Sequence, residues 1–183
     1  AGDILYFTTT HDHIEELISL AGKCEQHIRR VLIMGGSKIA IRLVNLGHDE
    51  FKFKIIESDL ERCRKLPQKC PDCEIIHGDA RDTDLLADIG IADMDAFVAL
   101  TDSSETNIFT CLTAKESGVK KTVADVETIQ FISQAENLNI GTVVNKKLLA
   151  SSTIFQLLLD ADSSTAKCLA LADAEVAELE ARP

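Results

Sequence analysis

The sequence predicts an α/β protein built on a doubly wound parallel sheet of about six strands, and three observations predict it. Short apolar, β-rich runs alternate with segments whose apolar residues recur at helical spacing, from residue 31 to residue 159. The first run is followed at once by two glycines, Gly35 and Gly36, and then by a helical pattern. The second run ends in an acidic cluster, Glu57-Ser58-Asp59. Strand, glycine turn, helix, strand and carboxylate is the order of a dinucleotide-binding βαβ unit of Rossmann type.

Each element has its own justification. Residues 31–34 are uniformly apolar, as a strand buried on both faces must be. Ile39, Leu43, Val44 and Leu46 mark the first helix, with Gly47 as its stop. The second strand spans 51–56, and Ser58 with Glu61 forms a capping box for a helix running to about Leu66. Residues 74–77 make the third strand, followed by the turn Gly78-Asp79-Ala80-Arg81-Asp82. A short helix with Leu85, Leu86 and Ile89 closes at Gly90. The fourth strand, 95–100, ends in Thr101-Asp102, and Asp102 with Glu105 caps a helix carrying Ile108, Phe109 and Leu112. Residues 120–126 and 142–144 are the fifth and sixth strands, separated by a helix with Ile129, Phe131, Ile132 and Ala135. Asn145 caps the last helix, through roughly Leu159.

In such a sheet, ligands sit at the carboxyl ends of the strands, near the switch point. Gly35, Gly36, Ser37, Lys38, Glu57, Gly78, Asp79, Ala80, Thr101 and Asp102 all fall on that rim. Gly35 permits a tight turn, and the helix start behind it offers free N–H groups to an anion. Glu57 comes about 20 residues later, where a carboxylate accepts from a ribose diol and repels a 2′-phosphate. NAD or an adenosine nucleotide is therefore favoured over NADP. Aligned as G-x-G-x-x-G, the three positions are Gly35, Ser37 and Ala40. Ala40 meets the packing requirement, whereas Ser37 puts a side chain where backbone should approach the pyrophosphate. Lys38 offers a cation beside it.

Bulk properties exclude other classes. A formal charge of −11 argues against nucleic acid and against docking on anionic lipid. Only 4% of residues are aromatic, too few for a stacking platform. No apolar run reaches the ~20 residues of a membrane span, and no signal peptide is visible. The 183 residues suffice for one core and begin with Ala1, as a cut-out piece would. Six cysteines without a secretory signal suggest a reducing cytoplasm. Cys70-Pro71-Asp72-Cys73 has no second pair to complete a zinc site, and it precedes a strand, so loop thiols are expected in place of a metal or redox centre.

The two ends do not fit the βα alternation. Residues 4–9 read as a strand, and Asp12 with Glu15 caps a helix carrying Ile14, Leu17, Ile18 and Leu20. A lone strand leaves backbone groups unpaired, so 1–29 reads as the tail of a preceding domain. His11 and His13 read as a solvated helix entrance. Leu148, Leu149, Ile154, Phe155, Leu157, Leu158 and Leu159 surround most of the last helix. One sheet covers one side of it, so a second subunit is expected on the other, giving a homodimer through helix 146–160. Beyond a turn at Asp173-Ala174, the residues Ala177, Leu179 and Ala181 share one face of an edge strand.

With these residues in view, the chain resembles the RCK family, the regulators of K⁺ conductance, and within it the TrkA-type regulatory subunits of bacterial Trk potassium uptake systems. The stretches VLIMGGSKIAIRL, KIIESDLERCRKL, IIHGDARDTDLL, DAFVALTDSSETNIFTCLTAKESG and NKKLLASSTIFQLL carry the resemblance. HGDARD followed by ALTDSSETN is its most specific part. The resemblance implies a Rossmann nucleotide-binding domain at 30–163, the tail of one RCK C-terminal-type α+β subdomain at 1–29, and the start of the next at 164–183. It implies no enzyme but a nucleotide-binding regulatory module with NAD(H), or else ATP or ADP, in the cleft. Gly35, Gly36, Ser37, Lys38 and Ile39 would hold the pyrophosphate, with Lys38 where the family usually has arginine. Glu57 and Asp59 would meet the adenosine ribose, Asp79 and Ala80 the adenine, and Thr101 and Asp102 the phosphate side. The family's glycine is Ser37 here. The implied partners are a second copy, a higher ring in the full-length protein, and a membrane potassium-translocating subunit on the cytoplasmic face of the inner membrane.

Two rival readings stand beside this one. A structural Rossmann unit with a degenerate site would serve ring assembly only, and Ser37 favours it. An NAD-dependent oxidoreductase would need a proton donor, but the single tyrosine is Tyr6, outside the unit.

Overall fold

The computed structural model describes residues 27–159 continuously, together with 168–171, 174–177 and the isolated positions 13, 16, 17 and 20. The expected strand at 4–9, the Asp12 and Glu15 cap, and positions 179 and 181 lie outside the described residues.

Six parallel strands form one sheet in the order β3-β2-β1-β4-β5-β6. They are β1 (Arg30–Met34), β2 (Lys52–Glu57), β3 (Cys73–His77), β4 (Ala96–Ala99), β5 (Lys121–Asp125) and β6 (Thr142–Val144). The helices between them are α1 (Lys38–Gly47), α2 (Leu60–Lys65), α3 (Thr83–Asp88), α4 (Ser104–Glu116) and α5 (Ile129–Asn137). A final helix, α6 (Lys146–Leu159), follows the sheet. The order reverses between β1 and β4, which is the switch point of a doubly wound sheet.

The uniform apolarity of residues 31–34 in β1 has its explanation in the core. Val31 and Ile33 face one side with Val44, Phe53, Ile55 and Leu66. Leu32 and Met34 face the other with Ile56, Leu86, Phe97, Ile108 and Cys111. Helices α1 and α2 thus cover one face, and α3, α4 and α5 the other. Gly47, expected as a stop, is the last residue of α1 and is buried. A Cβ there would lie 3.0 Å from the Phe51 ring and 3.1 Å from that of Phe53, so its bareness serves packing.

Several boundaries differ from expectation. The cap of α2 is Asp59, whose Oδ1 accepts from Arg62 N at 2.9 Å, and not Ser58. Ser58 instead donates to Glu57 Oε1 at 3.5 Å. The cap of α4 is Ser103, whose Oγ accepts from Thr106 N at 3.1 Å, and not Asp102. In both places the turn leaving the strand takes one residue more, because its preceding groups are bonded to the site described below. Asn145 does cap α6, accepting from Leu148 N at 2.9 Å. That helix is more open than expected. Leu148, Leu149, Ile154, Phe155, Leu157 and Leu158 are between 41% and 71% exposed, so the sheet covers none of these side chains fully. In the tail, β8 (Ala174–Ala177) starts at the expected turn, and it pairs antiparallel with β7 (Cys168–Leu171), a strand the alternation did not reveal.

Candidate functional site

The turn after β1 is shaped by two close approaches. Gly35 adopts φ +96°, and a Cβ there would stand 3.1 Å from the Leu100 carbonyl oxygen. A residue with a side chain is strained in that conformation. Gly36 has no such backbone need, but its Cβ would meet Leu66 Cδ1 at 2.6 Å and Glu57 Oε2 at 3.1 Å. The bare backbone lets β1 hand the chain to α1 against the ends of β2 and β4.

Glu57 ends β2 with its carboxylate only 5% exposed. Its Oε2 accepts from Gly36 N at 2.8 Å and its Oε1 from Asp59 N at 2.9 Å. Arg62, on the first turn of α2, stands 3.9 Å from Oε2. The carboxylate therefore joins the glycine turn to the start of α2. A carboxylate has about four acceptor sites, so capacity for further donors remains.

These groups open onto one cleft of roughly 450 Å³ at the carboxyl ends of β1 to β4. Of the residues singled out from sequence, Gly35, Gly36, Ser37, Glu57, Gly78, Asp79, Ala80, Thr101 and Asp102 line it. Lys38, Ile39 and Asp59 do not. Lys38 and Ile39 are exposed on the first turn of α1, and Asp59 is occupied as the α2 cap. The Arg62 N–H holds the Asp59 carboxyl below its usual range. Ser37 lines the cleft, but its Oγ turns back to accept from Ala40 N at 3.2 Å. The N–H groups of Ser37, Lys38 and Ile39 have no protein acceptor among the described residues. Free donors at a helix start, with no acidic residue in its first turn, suit an anion.

Other lining residues escaped the sequence reading. Ser58, Arg62, Arg81, Ser103 and Thr106 join the cleft. Arg81 grips Asp79 in a bidentate pair, Nε to Oδ1 at 3.0 Å and Nη2 to Oδ2 at 2.6 Å. These hydrogen bonds hold the Asp79 carboxyl below the usual carboxylate range. The signal for Arg81 was its place in HGDARD, two residues beyond Asp79. For Arg62 it was the spacing of three residues from Asp59, which sets both on the first turn of one helix. On the far wall, Thr101 is fixed by Asn107, whose Oδ1 accepts from Thr101 N at 3.1 Å and from Thr101 Oγ1 at 2.6 Å.

Among the described residues, no three His, Cys, Asp or Glu side chains gather as a metal site. Cys63, Cys70, Cys73 and Cys111 are free thiols, and burial pushes those of Cys73 and Cys111 up to about 12. No described helix is long and apolar enough to cross a membrane.

Comparison with known proteins gives concordant results. The potassium uptake protein TrkA of Vibrio alginolyticus is 28% identical over 178 residues, 97% of this chain and 39% of the relative. That of Halomonas elongata is 30% identical over 158 residues, 86% of this chain and 34% of the relative. The chain thus spans well under half the length of these relatives. Among solved structures, the TrkA-N domain of the inner membrane protein ybaL from Escherichia coli superposes with TM-score 0.62 at 13% identity, over 72% of this chain and 97% of that one. The GsuK channel bound to NAD gives TM-score 0.57 at 18% identity, over 66% of this chain and 22% of that one. At such identities the structural likeness is one of fold. The family model of the TrkA-N domain matches residues 31–146, which hold all of the six-stranded sheet but Arg30 and every residue of the cleft. The chain belongs to the TrkA-N domain family.

Proposed function

We propose that this chain is a nucleotide-binding regulatory unit of a bacterial potassium uptake system, taking NAD(H) in the cleft, with ATP or ADP as the alternative ligands. The observation that carries the reading is Glu57, buried at the end of β2 with its carboxylate bonded to the Gly36 N–H. An acceptor so placed suits a ribose diol beside the free N–H groups of the α1 start, and it disfavours a 2′-phosphate. A solved neighbour of the same fold is a channel bound to NAD. The role is regulatory and not catalytic. Gly35, Gly36, Ser37, Lys38 and Ile39 hold the pyrophosphate, the last two through backbone N–H. Glu57 takes the ribose, Asp79 and Ala80 the adenine, and Thr101 and Asp102 the phosphate side. Asp59 contributes as the α2 cap.

The deciding experiment is calorimetry of the purified chain with NADH, NAD, ATP and ADP, with Glu57→Ala and Ser37→Gly alongside. Micromolar binding that is lost in Glu57→Ala supports the sensor. Binding seen only in Ser37→Gly would mark a degenerate site and favour the purely structural reading. The turned-back Ser37 Oγ argues for binding by the parent.

The chain works as a homodimer through α6, within a higher ring in the full-length protein. The ring acts on a membrane potassium-translocating subunit at the cytoplasmic face of the inner membrane. What supports the dimer is the row of exposed apolar side chains on α6, an area that soluble monomers rarely leave open. Residues 1–29 and 164–183 belong to flanking C-terminal-type subdomains, and 30–163 to the nucleotide-binding domain. Ile154→Glu is expected to shift the chain from dimer to monomer in light scattering, and an unchanged mass would refute the α6 interface.

A further inference from the structure

A buried polar network runs from the phosphate-side turn of the cleft to the root of α6. Asn107 is fully buried and uses its whole amide. Besides accepting twice from Thr101, its Nδ2 donates to Thr101 O at 3.0 Å and to Asp125 O at 2.8 Å. The turn lining the cleft is thus bonded to the end of β5. Ser104, one turn earlier on α4, does the same just past the end of β5: Oγ accepts from Glu127 N at 3.0 Å and Thr128 N at 3.3 Å. The segment 125–128 is held on its other side by the start of α6. Asn145 Nδ2 donates to Val126 O at 2.7 Å and to Glu127 O at 3.2 Å. Lys146 Nζ stands 2.8 Å from Asp125 Oδ2 and 2.6 Å from Glu127 Oε1.

The Asp125 carboxylate makes this cluster demanding. It is 2% exposed, and Oδ1 meets no donor among the described residues. Among the described residues Lys146 is therefore the one cation paired with this buried carboxylate, and removing one partner of such a pair is far more disruptive than removing an exposed one. A displacement of segment 125–128 cannot leave Lys146 behind without exposing that charge to an apolar surrounding. A shift of Thr101, in turn, cannot leave Asn107 and Asp125 in place without breaking saturated hydrogen bonds.

We propose that Asn107 and Lys146 are positioning residues that couple the Thr101 turn of the cleft to the first turn of α6, so that occupancy of the cleft sets the order of that helix. The ligand part of this inference rests on the nucleotide reading above, whereas the coupling itself does not. The two are separated by hydrogen exchange over the 146–152 segment, read by mass spectrometry on the parent chain, Thr101→Val, Lys146→Met and the double variant. Without ligand, Thr101→Val is expected to speed exchange of that segment at least about twofold, the lower end of couplings between residues sharing a network. In the Lys146→Met background the same change is expected to have no further effect. Additive effects, or a rise spread evenly over the sheet, would overturn the coupling. With saturating NADH, the parent segment is expected to slow. Lys146→Met is expected to bind NADH within about threefold of the parent and show no slowing. Slowing that persists in Lys146→Met overturns the coupling. If the parent binds no nucleotide, the nucleotide reading falls while the ligand-free arm still decides. Should Lys146→Met lose its helical circular dichroism, Lys146→Met combined with Asp125→Asn, which breaks the pair without leaving a buried charge alone, takes its place in the same cycle.

Discussion

Replacing Glu57 by glutamine tests the organisation of the cleft and its ligand together. The carboxylate accepts from Gly36 N at 2.8 Å and Asp59 N at 2.9 Å, one on each oxygen. Glutamine keeps one acceptor and turns a donor toward the other N–H. A hydrogen bond to a charged group contributes about 1.5–3 kcal/mol. The open side of the cleft lets water recover part of that loss, leaving about 1–2 kcal/mol. For a chain of this size each kcal/mol moves the melting temperature by about 2–4 °C, so Glu57→Gln should melt about 2–8 °C lower. NADH affinity should fall about tenfold or more, because the ribose diol loses a charged acceptor. The ratio of NADPH to NADH affinity should rise as repulsion of the 2′-phosphate disappears. Differential scanning fluorimetry and calorimetry measure all three. Arg62→Gln is the control, since Arg62 is 59% exposed and 3.9 Å from the carboxylate. It should move stability by less than about 1 kcal/mol. A Glu57→Gln protein that melts within a degree of the parent and binds NADH equally would refute the reasoning.

Three further outcomes follow from the same structure. Gly35→Ala forces a side chain into φ +96° and against the Leu100 carbonyl, so it should cost about 1–3 kcal/mol, and a urea midpoint equal to the parent's would count against the turn described. Asp95 accepts from Arg30 N at 2.9 Å and Arg29 N at 3.1 Å, and these bonds lower its folded pKa below the ordinary carboxylate value. Its stabilising contribution is therefore present above that value and lost as pH falls through the folded one, so Asp95→Asn should flatten the acid limb of stability below about pH 4, and parallel limbs would contradict it. Burial pushes the Cys73 thiol up to about 12, so maleimide at neutral pH should label it far more slowly in the folded chain than in urea; equal rates, followed by peptide mapping, would show the thiol to be open.

Much of the architecture was legible because its signals are local. The alternation of short apolar runs with helical periodicity identified the six strands and six α-helices between 30 and 159, though not the short 3-10 turn Ile91–Asp93, since the central strands β1 and β4 bury both faces and the helices beside them one. Gly35, Gly36 and Glu57 were readable because the backbone angle, the bare approach and the carboxylate are properties of single positions at known spacing. Errors of one residue arose at the caps of α2 and α4. A cap forms where the chain turns away from the sheet, and side-chain hydrogen bonds within that turn, which hydrophobic periodicity does not encode, decide the point. Glu57 holds Asp59 N, and Asn107 holds the Thr101 turn.

What the sequence by itself determined is therefore the kind of protein: the βα repeat, the glycine turn and the acid that follows it, all encoded within about 30 residues of chain. Tertiary structure decided what converges. The strand order placed β1 beside β4, and only that brought Thr101 and Ser103 into one cleft with Glu57, Arg62 and Arg81. It also buried Asp125 against Lys146, residues 21 positions apart whose pairing no periodicity encodes. Proximity between distant residues is set by the packing of whole elements, and its energy enters only when the sheet closes.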